Sequence, residues 1–228
     1  MLNRARRIAR VVKVGGPWAL ARTFNRHLYE KCSEGWLRIA SEKRIRIPGL
    51  HDRTRNFGCE SMDYRSLRRV FKYLKPQENR DVFLDFGSGL GRAVIVAATF
   101  SFRRAIGVEI SSELNRVAER NVVRARARGR LKCRIIEIVA QDACSYSIPS
   151  DVTVVYMFSP FGETVISKVL DNIKVSISEV PRKLRIVFAN PRIFEIVSHD
   201  CDWLVLQWEF RRWDNMRVAV YLADPERV

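Results

Sequence analysis

No run of 18 or more apolar residues occurs in this chain, so a membrane-spanning helix is not expected. Nor does the start read as a secretory leader, because the first apolar stretch, Ile8–Val14, is short and interrupted by Arg10 and Lys13. The five cysteines (Cys32, Cys59, Cys133, Cys144 and Cys201) are scattered, with no CxxC pair and no histidine at ligand spacing. Neither a zinc site nor a disulfide framework is therefore expected, no metal is called for, and a reducing intracellular setting fits. Histidine is scarce too: His27, His51 and His199 all lie away from the ends of strand-like runs. That disfavours chemistry that must begin by abstracting a proton. Acid is missing altogether before Glu30. Internal repeats and low-complexity segments are also lacking.

What the chain has in excess is positive charge. Forty-one Lys and Arg against 25 Asp and Glu give a formal net charge of +16. Such a balance suits an anionic partner: nucleic acid, a ribonucleoprotein, anionic lipid or an acidic protein. Residues 1–50 carry twelve Lys and Arg but only Glu30, Glu34 and Glu42 as acids. Leu2, Ile8, Ala9 and Val12 with their flanking arginines suit a short basic amphipathic helix stopped by Gly15-Gly16-Pro17; a second helical stretch runs from Trp18 to about Ile39. This arm can be read as a membrane-surface helix, a nucleic-acid-binding arm, or a helix packed on the domain with a solvated basic face. An Arg-rich organellar transit segment fits less well, for want of serine. Residues 44–58 read as an irregular linker. The expected location is cytoplasmic, with peripheral membrane contact open through the arm.

The remainder is organised by Val82-Phe-Leu-Asp-Phe-Gly-Ser-Gly-Leu-Gly-Arg92. A strand-like run ends in Asp85, glycines follow at 87, 89 and 91, and an apolar helical run from Ala93 to Phe100 comes next. Glycines suit a tight turn with positive φ to which a ligand must come close. Strand, turn and helix make the first half of a βαβ unit that binds a nucleotide-like ligand. Glu109, eighteen residues past Gly91, closes a second strand-like run, Ala105–Ile110, where an acid suits a ribose diol. Further strands are expected at 135–140, 152–158, 184–189, 203–210 and 217–222, the last two as a hairpin. Helices are expected at 64–74 (capped by Ser61 or Asp63), from Ser111 or Ser112 to about 128 before Gly129, at 163–177 and at 192–199. Alternation of this kind predicts a largely parallel sheet with helices on both faces, whose ligand sits at the carboxyl ends of the strands. Polar or special residues recur at those ends: Asp85, Glu109, Asp142 and Ser159-Pro160. Arg116, Arg120 and Arg124 share one side of their helix, read as a solvated face.

Over about residues 60–223 the chain resembles class I S-adenosylmethionine (SAM)-dependent methyltransferases. The residues that carry this are Asp-x-Gly-x-Gly-x-Gly at 85–91, Glu109, Gln141-Asp142-Ala143, Ser159-Pro160-Phe161 and the terminal hairpin. Within that superfamily it is similar to a group of poorly characterised bacterial methyltransferases, matching their Tyr-Arg-x-Leu-Arg-Arg helix at Tyr64–Arg69. Ser159-Pro-Phe-Gly162 matches their Asn-Pro-Phe-Gly loop with Ser in place of Asn. More distantly, the order of features is similar to that of seven-strand protein-lysine methyltransferases, nucleosomal lysine enzymes among them. The resemblance implies a Rossmann-like α/β fold, with a seven-stranded mostly parallel sheet and a C-terminal antiparallel hairpin, over residues 59–228. Residues 1–58 then form a basic helical arm and linker. It also implies SAM as cofactor. Backbone around Gly87, Ser88, Gly89 and Gly91 would contact the methionine part, with Asp85 near its ammonium; Glu109 would accept from both ribose hydroxyls. Asp142 would accept from the adenine amino group, with Ala143 beside it and Ile110 against the ring. Ser159, Pro160 and Phe161 would form the acceptor site, and Tyr64 and Glu60 part of a lid. The expected activity is N-methylation of a protein side chain or a nucleic-acid amine; the alternative is a SAM-binding or basic scaffold without turnover, on nucleic acid or membrane.

Overall fold

The computed structural model describes residues 21, 23–41, 61–158, 161–189 and 201–227. The first 20 residues, the expected linker at 44–58, Glu60, Ser159, Pro160 and the expected helix at 192–199 lie outside them. The elements run α1 (residues 23–37), α2 (Tyr64–Leu74), β1 (Val82–Phe86), α3 (Arg92–Ala98), β2 (Arg104–Glu109) and α4 (Ser112–Arg126). Then follow β3 (Ile135–Ala140), β4 (Val154–Phe158), α5 (Glu163–Glu179), β5 (Leu184–Ala189), β6 (Leu204–Arg211) and β7 (Arg217–Ala223).

The seven strands form one sheet in the order β3-β2-β1-β4-β5-β7-β6. The pairs among β3, β2, β1, β4 and β5 are parallel, whereas β7 runs antiparallel to both β5 and β6. This is the mostly parallel sheet with an antiparallel end that the strand pattern predicts, and the Rossmann-like architecture that the resemblance implies. Central strands are covered on both sides, so β1 and β4 read as unbroken apolar runs apart from Asp85 and Tyr156. By contrast β3, at the sheet edge, is only half-buried and carries Glu137.

Alternate residues of each strand feed two cores. On one face Phe83, Tyr156, Val187 and Val220 meet α2 and α3, with Leu37 and Ile39 from the end of α1 and just beyond it. On the other, Leu84, Phe86, Ile106, Val155 and Met157 meet Ile166, Leu170 and Ile173 of α5. Helix α2 shows how the local sequence builds the first core. Asp63 caps it by accepting from the Ser66 N–H at 2.9 Å, and Lys75 ends it in a left-handed conformation with φ 46°. Leu67, Val70, Phe71 and Leu74 then share the buried face, and the Phe71 ring lies 5.3 Å from Phe83, 5.3 Å from Phe100 and 5.8 Å from Phe102. Ser111 caps α4 by accepting from Leu114 N–H, and Gly129, at φ 63°, follows its end. Among the described residues no helix is long and apolar enough to cross a membrane.

Candidate cofactor site at the carboxyl edge of the sheet

Leaving β1, the chain must reverse over the end of β2 to start α3. The N–H groups of Gly87 and Ser88 both donate to the Val108 carbonyl, at 2.9 and 3.1 Å, and Gly91 N–H donates to Ser88 O at 2.8 Å. Gly87, Gly89 and Gly91 take φ values of 74°, 53° and 78°, a region that costs a side chain steric strain. A fourth glycine belongs to the same construction. At Gly107 on β2 an added Cβ would stand 2.8 Å from Ser88 Cβ and Oγ and 2.9 Å from Val94 Cγ2. The missing side chain is thus the hollow into which Ser88 folds, and Ser88 Oγ is buried there with no hydrogen-bond partner among the described residues.

Glu109 at the end of β2 is tied to this turn. Its Oε2 accepts from Gly89 N–H at 3.1 Å and its Oε1 from Ser111 N–H at 2.9 Å. Asn115 fixes the backbone beneath by donating to Glu109 O at 2.7 Å. The carboxylate is 8% exposed, and burial raises its pKa above the ordinary value against the pull of the Ser111, Gly89 and Ile110 N–H groups. A carboxylate offers about four lone-pair directions. With Gly89 on one oxygen and Ser111 on the other, and Ile110 N–H nearby, the carboxylate is held by backbone and still has capacity for a further donor.

Asp85 lies one strand over, paired with Gly107 on one side and Tyr156 on the other. It is buried, and no hydrogen-bond donor among the described residues reaches its carboxyl. Burial, and secondarily the nearby Glu109, push its pKa well above the usual carboxylate range. Burial also raises the Tyr156 phenol far above its ordinary value, and the adjacent Asp85 adds to this; its hydroxyl finds no partner among the described residues. Two close carboxyls and an unsatisfied phenol make this end of the sheet receptive to a cation.

At the end of β3, Gln141 N–H reaches Glu109 O at 3.3 Å, joining that strand end to the previous one. Asp142 is exposed; its Oδ1 accepts from Cys144 N–H at 2.9 Å, which leaves Oδ2 to the solvent side. Ala143 beside it is buried, and Ile110 is exposed. The neighbouring strand ends therefore bring together Asp85, the three glycines, Glu109, Ile110, Asp142 and Ala143. Phe161 is buried in the same cluster as Ala143 and Tyr146, whereas Ser159 and Pro160 lie outside the described residues. Tyr64 is no lid: it is fully buried.

What covers Tyr64 is a charged network that reasoning from the strand ends did not reach. Arg92, the first residue of α3 and 5% exposed, donates from Nη1 to Glu30 Oε2 at 2.9 Å and from Nε to Ser41 Oγ at 2.8 Å. Its Nη2 lies 3.5 Å from Glu34 Oε1, and its guanidinium sits 4.5 Å from the centre of the Tyr64 ring. The second Glu30 oxygen accepts from Tyr64 N–H at 2.8 Å, at the start of α2. Asn121 adds a second tie, donating to Leu90 O at 3.0 Å and exchanging hydrogen bonds with the Ala40 backbone. The signal in the sequence was the pair Glu30 and Glu34, the first acids of a basic segment, spaced one helical turn apart.

Strand order and the glycine turn define the class: the chain has the class I, Rossmann-like fold of SAM-dependent methyltransferases. A family model described as histone methylation protein DOT1 matches residues 59–133, about a third of the chain, from before α2 to the approach to β3. Among curated proteins none matches. An RNA methyltransferase from Salinibacter ruber, solved with S-adenosyl-L-homocysteine, is 21% identical with a TM-score of 0.55, over 72% of this chain and 94% of that one. A proposed RNA methyltransferase from Pyrococcus horikoshii is 14% identical with a TM-score of 0.55, over 86% and 96%. TrmK of M. capricolum, solved with S-adenosyl-homocysteine, is 12% identical with a TM-score of 0.50, over 72% and 69%. At these identities the likeness is one of fold.

Proposed function

We propose that this chain is a methyltransferase that uses SAM and delivers the methyl group to a nitrogen of a macromolecular acceptor. The observation that carries the reading is Glu109, one oxygen fixed by Gly89 and the other by Ser111 beside a left-handed glycine turn, with acceptor capacity left over. That is the geometry a ribose diol takes. Asp85, buried without a donor beside a second carboxyl, suits the ammonium of the methionine part, whose positive charge offsets the burial. Asp142 Oδ2, Ala143 and exposed Ile110 suit an adenine amino group and ring face.

SAM supplies an already activated methyl group on a sulfonium, so the chain's task is to bind, orient and exclude water. The Ser159-Pro160-Phe161 segment, directly after β4, is the proposed acceptor loop. The Ser159 hydroxyl and a loop carbonyl would accept hydrogen bonds from the target nitrogen, turning its lone pair towards the methyl, with Phe161 against it. RNA methyltransferases among the fold neighbours and the charge of +16 both favour an acceptor in anionic surroundings.

Titration calorimetry with SAM and S-adenosyl-homocysteine is the direct test. Binding to the native chain, weakened at least ten-fold in Glu109→Ala, is expected; no heat with either compound overturns the proposal. Labelled-methyl transfer into a nuclease-treated and a protease-treated lysate then reads the acceptor class, and Ser159→Ala should lower the rate with little change in SAM affinity.

A further inference from the structure

At the amino edge of the sheet Arg80 and Arg185 pair with Asp81, and Arg103 and Arg104 with Asp151. On the outer face of α1, α2 and β6, arginines lie against aromatic rings instead. Arg65 sits 5.0 Å from the Tyr29 ring centre, Arg68 5.1 Å from Trp36, and Arg69 4.2 Å from Phe210. Arg26 lies 3.5 Å from the centre of Trp213, in the turn between β6 and β7. None of these four pairs with a carboxylate among the described residues, so their charge is not neutralised locally.

The exposed aromatic residues belong to the same elements. Among the described residues Phe24, Trp36, Tyr73 and Trp213 are the exposed large aromatics, and all four belong to α1, α2 or the hairpin turn. Trp213 is 62% exposed. Tyr73 stacks on Trp208 at 4.4 Å with the rings 7° from parallel, continuing the series onto β6. On α2 itself Arg65, Arg69, Lys72 and Tyr73 share the solvent side at helical spacing. The stripe follows α2 for about 16 Å. One end lies at the carboxyl edge of the sheet: β7 begins opposite the end of β5, which puts Trp213 there, and Arg212 of the same turn pairs with the α2 cap Asp63 at 3.2 Å.

We propose that this stripe is a binding surface for single-stranded nucleic acid, which it leads to the carboxyl edge of the sheet. The inference rests on the methyltransferase reading and names the acceptor class. Unneutralised guanidinium groups stand beside the exposed rings of Trp36, Tyr73 and Trp213, which suits a chain of phosphates and unstacked bases. A duplex hides its base faces and uses only the charge. A bilayer would take an uninterrupted apolar ridge, yet Arg65, Arg69 and Lys72 stand among the rings here.

Anisotropy titrations decide it, with a labelled 12-nucleotide single-stranded RNA, the same RNA as a duplex, and vesicles of phosphatidylserine and phosphatidylcholine. The single strand is expected to bind more tightly than the duplex, and more weakly as salt rises. Trp213→Ala should weaken it about ten-fold, and Arg65→Gln with Arg69→Gln by at least as much. Replacing Arg116, Arg120 and Arg124 of α4 by Gln, a larger loss of charge, should cost less than either. Equal binding of duplex, binding of vesicles without RNA, or an equal loss from the α4 variant overturns the proposal. Trp213 is exposed, so its variant decides the matter even if the α2 variant fails to fold. SAM titration of the same variants separates the two readings: RNA binding without SAM binding removes the enzyme and leaves the surface, and the converse removes the surface alone.

Discussion

Asp85 concentrates the conflict between stability and binding in one side chain. Burial raises the pKa of both Asp85 and Glu109, so the folded protein retains protons that the unfolded chain releases. Stability from these groups is complete below the unfolded carboxyl value of about 4 and declines as pH rises towards the raised folded values. In ligand-free protein, Asp85→Asn should therefore raise stability at neutral pH by roughly 1–3 kcal/mol and flatten its decline above pH 4, as read by denaturant titration across pH. The same change should weaken SAM binding, because an amide cannot offset an ammonium. A second residue-scale test concerns Gly107. Its Ala variant forces a methyl into Ser88 and Val94, which should cost about 1–3 kcal/mol and loosen SAM binding. Adding Ser88→Gly should recover part of both losses. The glycines at 87, 89 and 91 were legible in the sequence because their spacing forms a motif. Gly107 was not, since its reason is a contact made by a residue nineteen positions away.

Among the elements, α1 and α3 depend on each other through Arg92. Replacing Arg92 by Ala removes the buried guanidinium that bonds Glu30, Glu34 and Ser41 together and should cost about 3–5 kcal/mol, measured by urea unfolding. Arg92→Lys should recover little, because one ammonium cannot span Ser41, Glu30 and Glu34 as the guanidinium does. Several elements could be read nearly to the residue: β3 and β5 at 135–140 and 184–189, and α2 at 64–74. Their periodicity is local, set by one buried face or by burial on both. Helix α4 stops at Arg126, two residues before the expected end, and β4 begins at Val154 and not Val152. Apolar pattern marks what is buried and says little about where a ladder of hydrogen bonds starts. The role of α1 was open on sequence grounds, because a basic segment serves lipid, nucleic acid or solvent equally well. Two buried acids and an asparagine from α4 attach it to the first core.

For the molecule as a whole, the mostly parallel sheet, its terminal hairpin and the polar ends of β1, β2 and β3 were legible, since alternation of strand and helix points to them, whereas the order of the strands was not. The network at Arg92 and the aromatic stripe were not, because each joins residues from three or more elements. Two whole-molecule outcomes follow. A chain beginning at residue 59 lacks Glu30, Glu34 and Ser41, and should melt lower and bind SAM more weakly than the full chain. Saturating SAM, at about a hundred times its Kd, should stabilise the full chain by roughly 2.7 kcal/mol, seen as a higher Tm. Hydrogen exchange should slow most at the Gly87–Gly91 turn and the ends of β2 and β3.

The position of β7 has a consequence for synthesis. It lies between β5 and β6, yet it follows both in the chain. Until residues 217–223 leave the ribosome, β5 is the open edge of a five-stranded parallel sheet, and β6 has no partner strand. An unpaired apolar edge such as Leu184–Ala189 invites pairing with another nascent chain. Strand β7 is therefore the one that seals the sheet, and premature termination within it should yield aggregates rather than a slightly shortened protein.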